Sequence, residues 1–213
     1  MTSEEYIKQF SEDEAPGWLA MDVSLEKLYP AQEPRHYASV IKYMMGGADP
    51  LDGTSIYDSQ QQAFHRHIVS YGMSELYYAP DKSDKEFSNW GFEFTMRVKD
   101  KEGNEDPQWV IGLMNNLARY VFQSGNWFED HHYIPANGPI KLNSSTDKVG
   151  ILFISDPELG TIDTPHGKLT FLQMIGITEA QLERLKQHPE EGPLMIEEFR
   201  VNNPLFITDL NEG

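Results

Sequence analysis

Between Trp90 and Lys99 the chain alternates. Trp90, Phe92, Phe94, Met96 and Val98 fall on one side, and Gly91, Glu93, Thr95, Arg97 and Lys99 on the other. A period of two predicts a half-buried antiparallel strand with its apolar side inward. Lys101, Glu102, Gly103 and Asn104 then make a turn, and the period changes. From Pro107 onward Val110, Met114, Leu117 and Val121 recur at helical spacing, opposite Asn115, Asn116, Arg119 and Gln123. That pattern predicts a helix opened by proline and laid across a sheet.

The remaining elements follow from similar signals. Residues 2–29 read as helical, with Thr2 or Ser3 before Glu4 and Glu5 as cap and acidic first turn. Pro16-Gly17 interrupts the helix, and a second one carries Leu19, Val23, Leu25 and Leu28 and stops before Pro30. Arg35 to Met45 predicts a strand ended by Gly46-Gly47, followed by turn signals at Asp49-Pro50 and Asp52-Gly53. Phe64–Tyr71, Val149–Ile154, Lys168–Ile175 and Leu205–Thr208 read as further strands, and residues 124–148 as a long loop. Thr178 with Gln181 forms a capping box for a helix that ends near His188-Pro189, and a short helix surrounds Leu194–Phe199. The expected architecture is one α+β domain over residues 1–213, a mainly antiparallel sheet with helices packed on it, with residues 1–16 as a helical extension.

Composition narrows the function. Hydrophobic residues make up 39% of the chain, with 11 Phe, 10 Tyr and 4 Trp, which excludes intrinsic disorder. Against 34 acidic residues stand 17 basic ones, a formal charge of −17 that repels nucleic acid and anionic lipid. The same charge favours solubility and, more sharply, encounter with a basic protein. There is no cysteine, so disulfides, thiolate nucleophiles and thiolate metal sites are excluded. No apolar run reaches the roughly 20 residues of a membrane span, and the start, Met1 to Glu5, lacks the features of a secretory signal. A cytoplasmic protein is expected.

Candidate chemistry is sparse. His65 and His67 share one face of a strand and could present two imidazoles to a metal, with no third ligand set by spacing. His131 and His132, beside Glu129 and Asp130 in the long loop, are the better acid–base or metal candidates, although adjacent side chains diverge. They define an enzymatic alternative, a metal-dependent hydrolase. No nucleophile elbow, phosphate-binding loop, dinucleotide fingerprint or zinc-protease motif is present. We expect no catalytic residue, metal or cofactor. The chain instead carries aromatics near turns, Tyr57, Tyr77, Tyr78, Phe87, Trp90 and Trp127, the residue types that anchor protein interfaces. Of these, Tyr57, Tyr77, Phe87 and Trp90 are the expected partner-binding residues. A structural, oligomerising module is a third reading.

Several segments together resemble the suppressor of fused family. They are Ile41-Lys42-Tyr43-Met44-Met45-Gly46-Gly47-Ala48-Asp49-Pro50-Leu51-Asp52, Gly72-Met73-Ser74-Glu75-Leu76-Tyr77 and Gly91-Phe92-Glu93-Phe94-Thr95-Met96-Arg97. Leu117 to Ser124, Asp163-Thr164-Pro165-His166-Gly167 with Leu172-Gln173, and Ile207-Thr208-Asp209 continue the match. In animals the family's protein restrains a zinc-finger transcription factor by clamping an extended peptide between two domains. The resemblance implies that this chain corresponds to the N-terminal one. It also implies that Tyr77 and Phe87 face a bound peptide, while the Phe87–Trp90 segment is shorter here and lacks the family's acidic contact. Asn137-Gly138-Pro139-Ile140 is more similar to a stand-alone bacterial branch, members of which are proposed immunity proteins. The resemblance thus implies a non-enzymatic protein-binding domain, with an immunity protein for a basic toxin as its finer form.

Overall fold

The structure, a computed structural model, describes residues 1–211. Glu212 and Gly213 of the expected domain lie outside the described residues, as does the side chain of Met44. Five α-helices and eight strands are formed among the described residues: α1 (Ser3–Gln9), α2 (Pro16–Leu28), β1 (Arg35–Ala38), β2 (Gly53–Ser59), β3 (His65–Tyr71), β4 (Phe87–Lys99), α3 (Gln108–Ser124), β5 (Tyr133–Pro135), β6 (Lys148–Ser155), β7 (Thr161–Thr164), β8 (Gly167–Thr178), α4 (Glu179–Gln187) and α5 (Gly192–Asn202). The strands make one sheet in the order β1-β2-β3-β4-β8-β6-β5, with β7 also on β8. Each pairing is antiparallel except β4 with β8, so the sheet is mainly antiparallel and the fold is α+β as expected.

Local chemistry accounts for the element ends. Thr2 and Glu5 exchange both bonds of a capping box, and Thr178 and Gln181 do the same at α4. Gly125 ends α3 in the left-handed region. On one sheet face α3 lays Val110, Met114 and Val121 over Phe94, Met96, Phe153 and Met174. The opposite face holds two apolar clusters. In one, Met21 and Leu25 of α2 meet Tyr57, Tyr71 and Phe171; in the other, Leu185 of α4 and Ile196 of α5 meet Ile154, Ile175 and Ile177.

Several expectations are corrected here. β4 is central and buried on both faces: Glu93, Thr95 and Arg97, expected toward solvent, are all fully buried. On α2, Leu19 and Val23 are exposed while Met21 and Leu25 are buried. Two rows of four-residue spacing compete on that helix, and close docking at its N-terminus decides between them. Gly17 and Trp18 donate to the Leu76 carbonyl, and a Cβ on Gly17 would overlap the Glu75 carbonyl oxygen. The strand expected over residues 35–45 ends at Ala38 and gives way to a 3-10 turn at Tyr43–Met45. Gly53–Ser59, where only the turn at Asp52-Gly53 was expected, is β2; β1 and β3 take its backbone bonds, and apolar clusters on the two sheet faces cover Ile56 and Tyr57. β5 and β7 were not expected, and Leu205–Thr208 contributes only an isolated bridge between Val98 and Thr208.

Candidate functional site

The sheet face that carries α3 is left partly uncovered beyond the end of that helix. A cavity of about 620 Å³ opens there, floored by Phe92, Thr170 and Leu172 and walled by Phe87, Trp90 and Trp127. A bulge in β4 builds one wall. Phe87 pairs with Lys168, yet the next register pair is Phe92 with Thr170, so the intervening residues of β4 loop outward. Asn89 and Gly91 occupy left-handed backbone (φ 51° and 80°), which lets the bulge turn and leaves Phe87 53% exposed. The other wall follows α3. Phe128 stacks on Phe153 with centroids 4.3 Å apart, and Trp127, 54% exposed, stands beside it.

The rim is acidic. Glu129 Oε1 accepts from Trp127 Nε1 at 2.8 Å, and Asp130 Oδ1 accepts from the Ser155 amide at 3.1 Å. Glu129 therefore orients the indole, and Asp130 ties the loop to the end of β6. The His131 and His132 rings are exposed, pointing to separate carboxylates: His131 Nε2 lies 3.9 Å from Asp130 and His132 Nε2 4.0 Å from Glu129. No group of three metal-ligating side chains is assembled among the described residues.

A second cleft lies across the bulge, lined by Lys42, Tyr43, Tyr77, Asn89 and Phe122. Lys42 Nζ sits 4.1 Å over the Tyr77 ring and also contacts its hydroxyl. The segment that carries Tyr77 is held by a buried carboxylate. Glu93 accepts from the amides of Gly72 and Ser74, both at 2.9 Å, and from the hydroxyls of Ser70 and Ser74. Burial raises the Glu93 pKa, against those hydrogen bonds.

The expected binding residues are thus distributed unevenly. Phe87 and Trp90 wall the cavity, Tyr77 lines the neighbouring cleft, and Tyr57 is in the core. Tyr57 stacks on Tyr29 at 4.5 Å and is 4% exposed, which corrects its placement at the surface as an anchor. Phe128, Glu129, Asp130 and Ser155 were not assigned to the site; the aromatic-acidic run from Trp127 to Asp130 was the signal available for them.

His65 and His67 do share a face, and it points inward. Both are buried, His67 Nδ1 meets the Tyr29 hydroxyl at 2.7 Å and His65 Nδ1 the Ala63 carbonyl at 2.8 Å. Next to His67 lies the ion pair of Arg97 with Asp156, whose shorter contact is 2.6 Å. Arg97 also reaches Glu158 at 2.8 Å, while Asp156 accepts from Thr95 and from the amides of Glu158 and Leu159. Burial opposes the Asp156 charge, and contacts with His67 and Arg97 outweigh it, holding the carboxyl well below its usual range. This network separates the two apolar clusters and fixes the turn that feeds β7.

Residues 47–211 match the family model described as suppressor of fused protein. The chain belongs to that family. It is 35% identical over 204 residues to the suppressor of fused homologues of Homo sapiens and Mus musculus, covering 88% of this chain and 41% of each relative. The chain therefore spans less than half the length of those relatives. Among solved structures it superposes on Drosophila Suppressor of Fused with a TM-score of 0.83 at 26% identity, covering 95% of this chain and 52% of that one. A chain in the Sufu-Fu complex gives the same score and identity, with 94% and 92% covered. A Neisseria gonorrhoeae homologue shares the fold, with a TM-score of 0.58 at 15% identity over 92% of this chain and 95% of that one. No helix among the described residues is long and apolar enough to cross a membrane.

Proposed function

We propose that this chain is a non-enzymatic protein-binding domain acting as a single unit, and that its partner seats an apolar side chain between Phe87 and Trp127. The observation that carries the reading is the pairing of two half-exposed aromatics across one preformed cavity of this size. Aromatic walls around an apolar floor are the composition of interface hot spots. A family member has been solved as the Sufu-Fu complex, which supports protein binding as the class of activity. The acidic rim and the formal charge of −17 favour a basic partner, a description that a basic toxin would meet if the chain serves as an immunity protein.

Affinity capture from the native host at low and high salt, with wild type, Phe87→Ala and Trp127→Ala as baits, tests this reading. A basic protein captured by wild type, weakened by salt and lost in both variants is the expected result. A partner retained by both variants would place binding elsewhere. Repeated absence of any partner, or retention of only a second copy of the bait, would refute the proposal.

A further inference from the structure

The outer edge of β7 carries backbone hydrogen-bonding groups that no strand pairs among the described residues. The strand pairs with β8 as Thr161 with Thr170, Ile162 with Leu169, Asp163 with Lys168 and Thr164 with Gly167, and no strand flanks its other side among the described residues. In an antiparallel ladder, opposed residues alternate between pairs that exchange N–H···O bonds and pairs that do not. The Phe171 amide donates to the Gly160 carbonyl at 2.8 Å, which places that pair in the bonded class. Alternation then assigns Ile162 with Leu169 and Thr164 with Gly167 to the same class. Thr161 and Asp163 fall in the other, so their N–H and C=O groups point away from β8; both residues are exposed.

That no strand lies beside that edge among the described residues has a topological reason. β6 lies on β8 as far as Ser155 opposite Leu172, with β5 outside it. Beyond Ser155, β7 takes the place of β6 and packs its Ile162 side on α2, and no strand among the described residues takes the place of β5. Thr161 and Thr170 line the cavity, so the cavity face of the sheet continues across β7 to its open edge. Acidic groups surround that edge: Asp163, paired at 3.1 Å with Lys168, and Asp130 beside Ser155.

We propose that an extended segment of a basic protein adds to the sheet along the outer edge of β7, donating to and accepting from Thr161 and Asp163. Alternate side chains of that segment point to the cavity face, where one apolar side chain enters beside Trp127 and a Lys or Arg meets Asp130 or Asp163. The proposal rests on the cavity being the binding site and adds the backbone geometry. A second copy of this chain is a poor occupant, since β7 is only four residues long and each copy brings its own acidic groups to the edge.

A phage-displayed library of random peptides, selected on the whole chain at low salt, supplies the probe. Enriched sequences should alternate apolar and basic residues. Hydrogen exchange on the complex with one such synthetic peptide should show the Thr161 and Asp163 amides fast in the free protein and slowed when bound. Thr161→Pro removes an outward donor and leaves the backbone ladder to β8 intact, losing only the contact of the Thr161 and Thr170 hydroxyls at 2.9 Å, and should weaken the peptide about tenfold. Unchanged exchange at both amides, unchanged affinity of Thr161→Pro, or no enriched sequence overturns strand addition. Weakening by Trp127→Ala with none by Thr161→Pro would leave the cavity as the site and end the strand-addition proposal alone. Indifference to both variants would end both proposals. A dimer of the free protein that Thr161→Pro dissociates would make a second copy the occupant and overturn the assignment.

Discussion

Phe87 stands over Gly91: a Cβ placed on the glycine would lie 3.3 Å from the phenylalanine Cβ. Gly91 also holds φ at 80°, so an alanine there meets backbone strain and a crowded neighbour together. Gly91→Ala should cost about 1–2 kcal/mol of stability, measured by urea unfolding. It should also weaken partner capture by moving the Phe87 wall. Unchanged stability and capture would show that the bulge adapts freely.

The buried ion pair predicts a larger penalty. Arg97→Met leaves Asp156 as an uncompensated carboxylate in a fully buried position, at a cost of about 3–5 kcal/mol. The double variant Arg97→Met with Asp156→Leu should recover part of that loss, because the lone buried charge is gone. Equal destabilisation in single and double variants would contradict the account.

Acid should weaken the fold before most carboxylates titrate. Burial pushes the pKa values of His65 and His67 from 6.5 to about 4, so the folded protein keeps both neutral where the unfolded chain takes up protons. Their contribution is complete above about pH 6.5 and is lost as the pH falls toward about 4, with a ceiling of about 1.4 kcal/mol per unit for each histidine. Urea midpoints between pH 7.5 and 5 should fall accordingly; a flat profile would show that the unfolded chain binds no extra protons.

Glu93→Gln probes the support beneath Tyr77. The carboxylate accepts from four donors, and an amide would turn its own N–H groups toward them. The expected cost is about 1–3 kcal/mol in urea unfolding, with increased hydrogen exchange at Gly72 and Ser74. Unaltered exchange at those two amides would count against this role.

Where local and tertiary demands coincide, the chain was legible. The apolar side of β4, the buried row of α3 and the capping box of α4 follow from spacing within one segment, and the family blocks survive because they are short and contiguous. Nothing within Gly53–Ser59 announces β2, because β1 and β3 pair its backbone and elements distant in sequence cover its two faces. Polar residues on β4 read as solvent-facing until Arg97 of that strand and Asp156, distant in sequence, neutralised each other inside the protein. Tyr57 near a turn was indistinguishable from Phe87 near a turn; stacking on Tyr29 took one inward, and a bulge turned the other out. Periodicity records which side of an element is apolar. Only the packed structure decides whether a second layer covers the other side, and which strand edge is left without a neighbour.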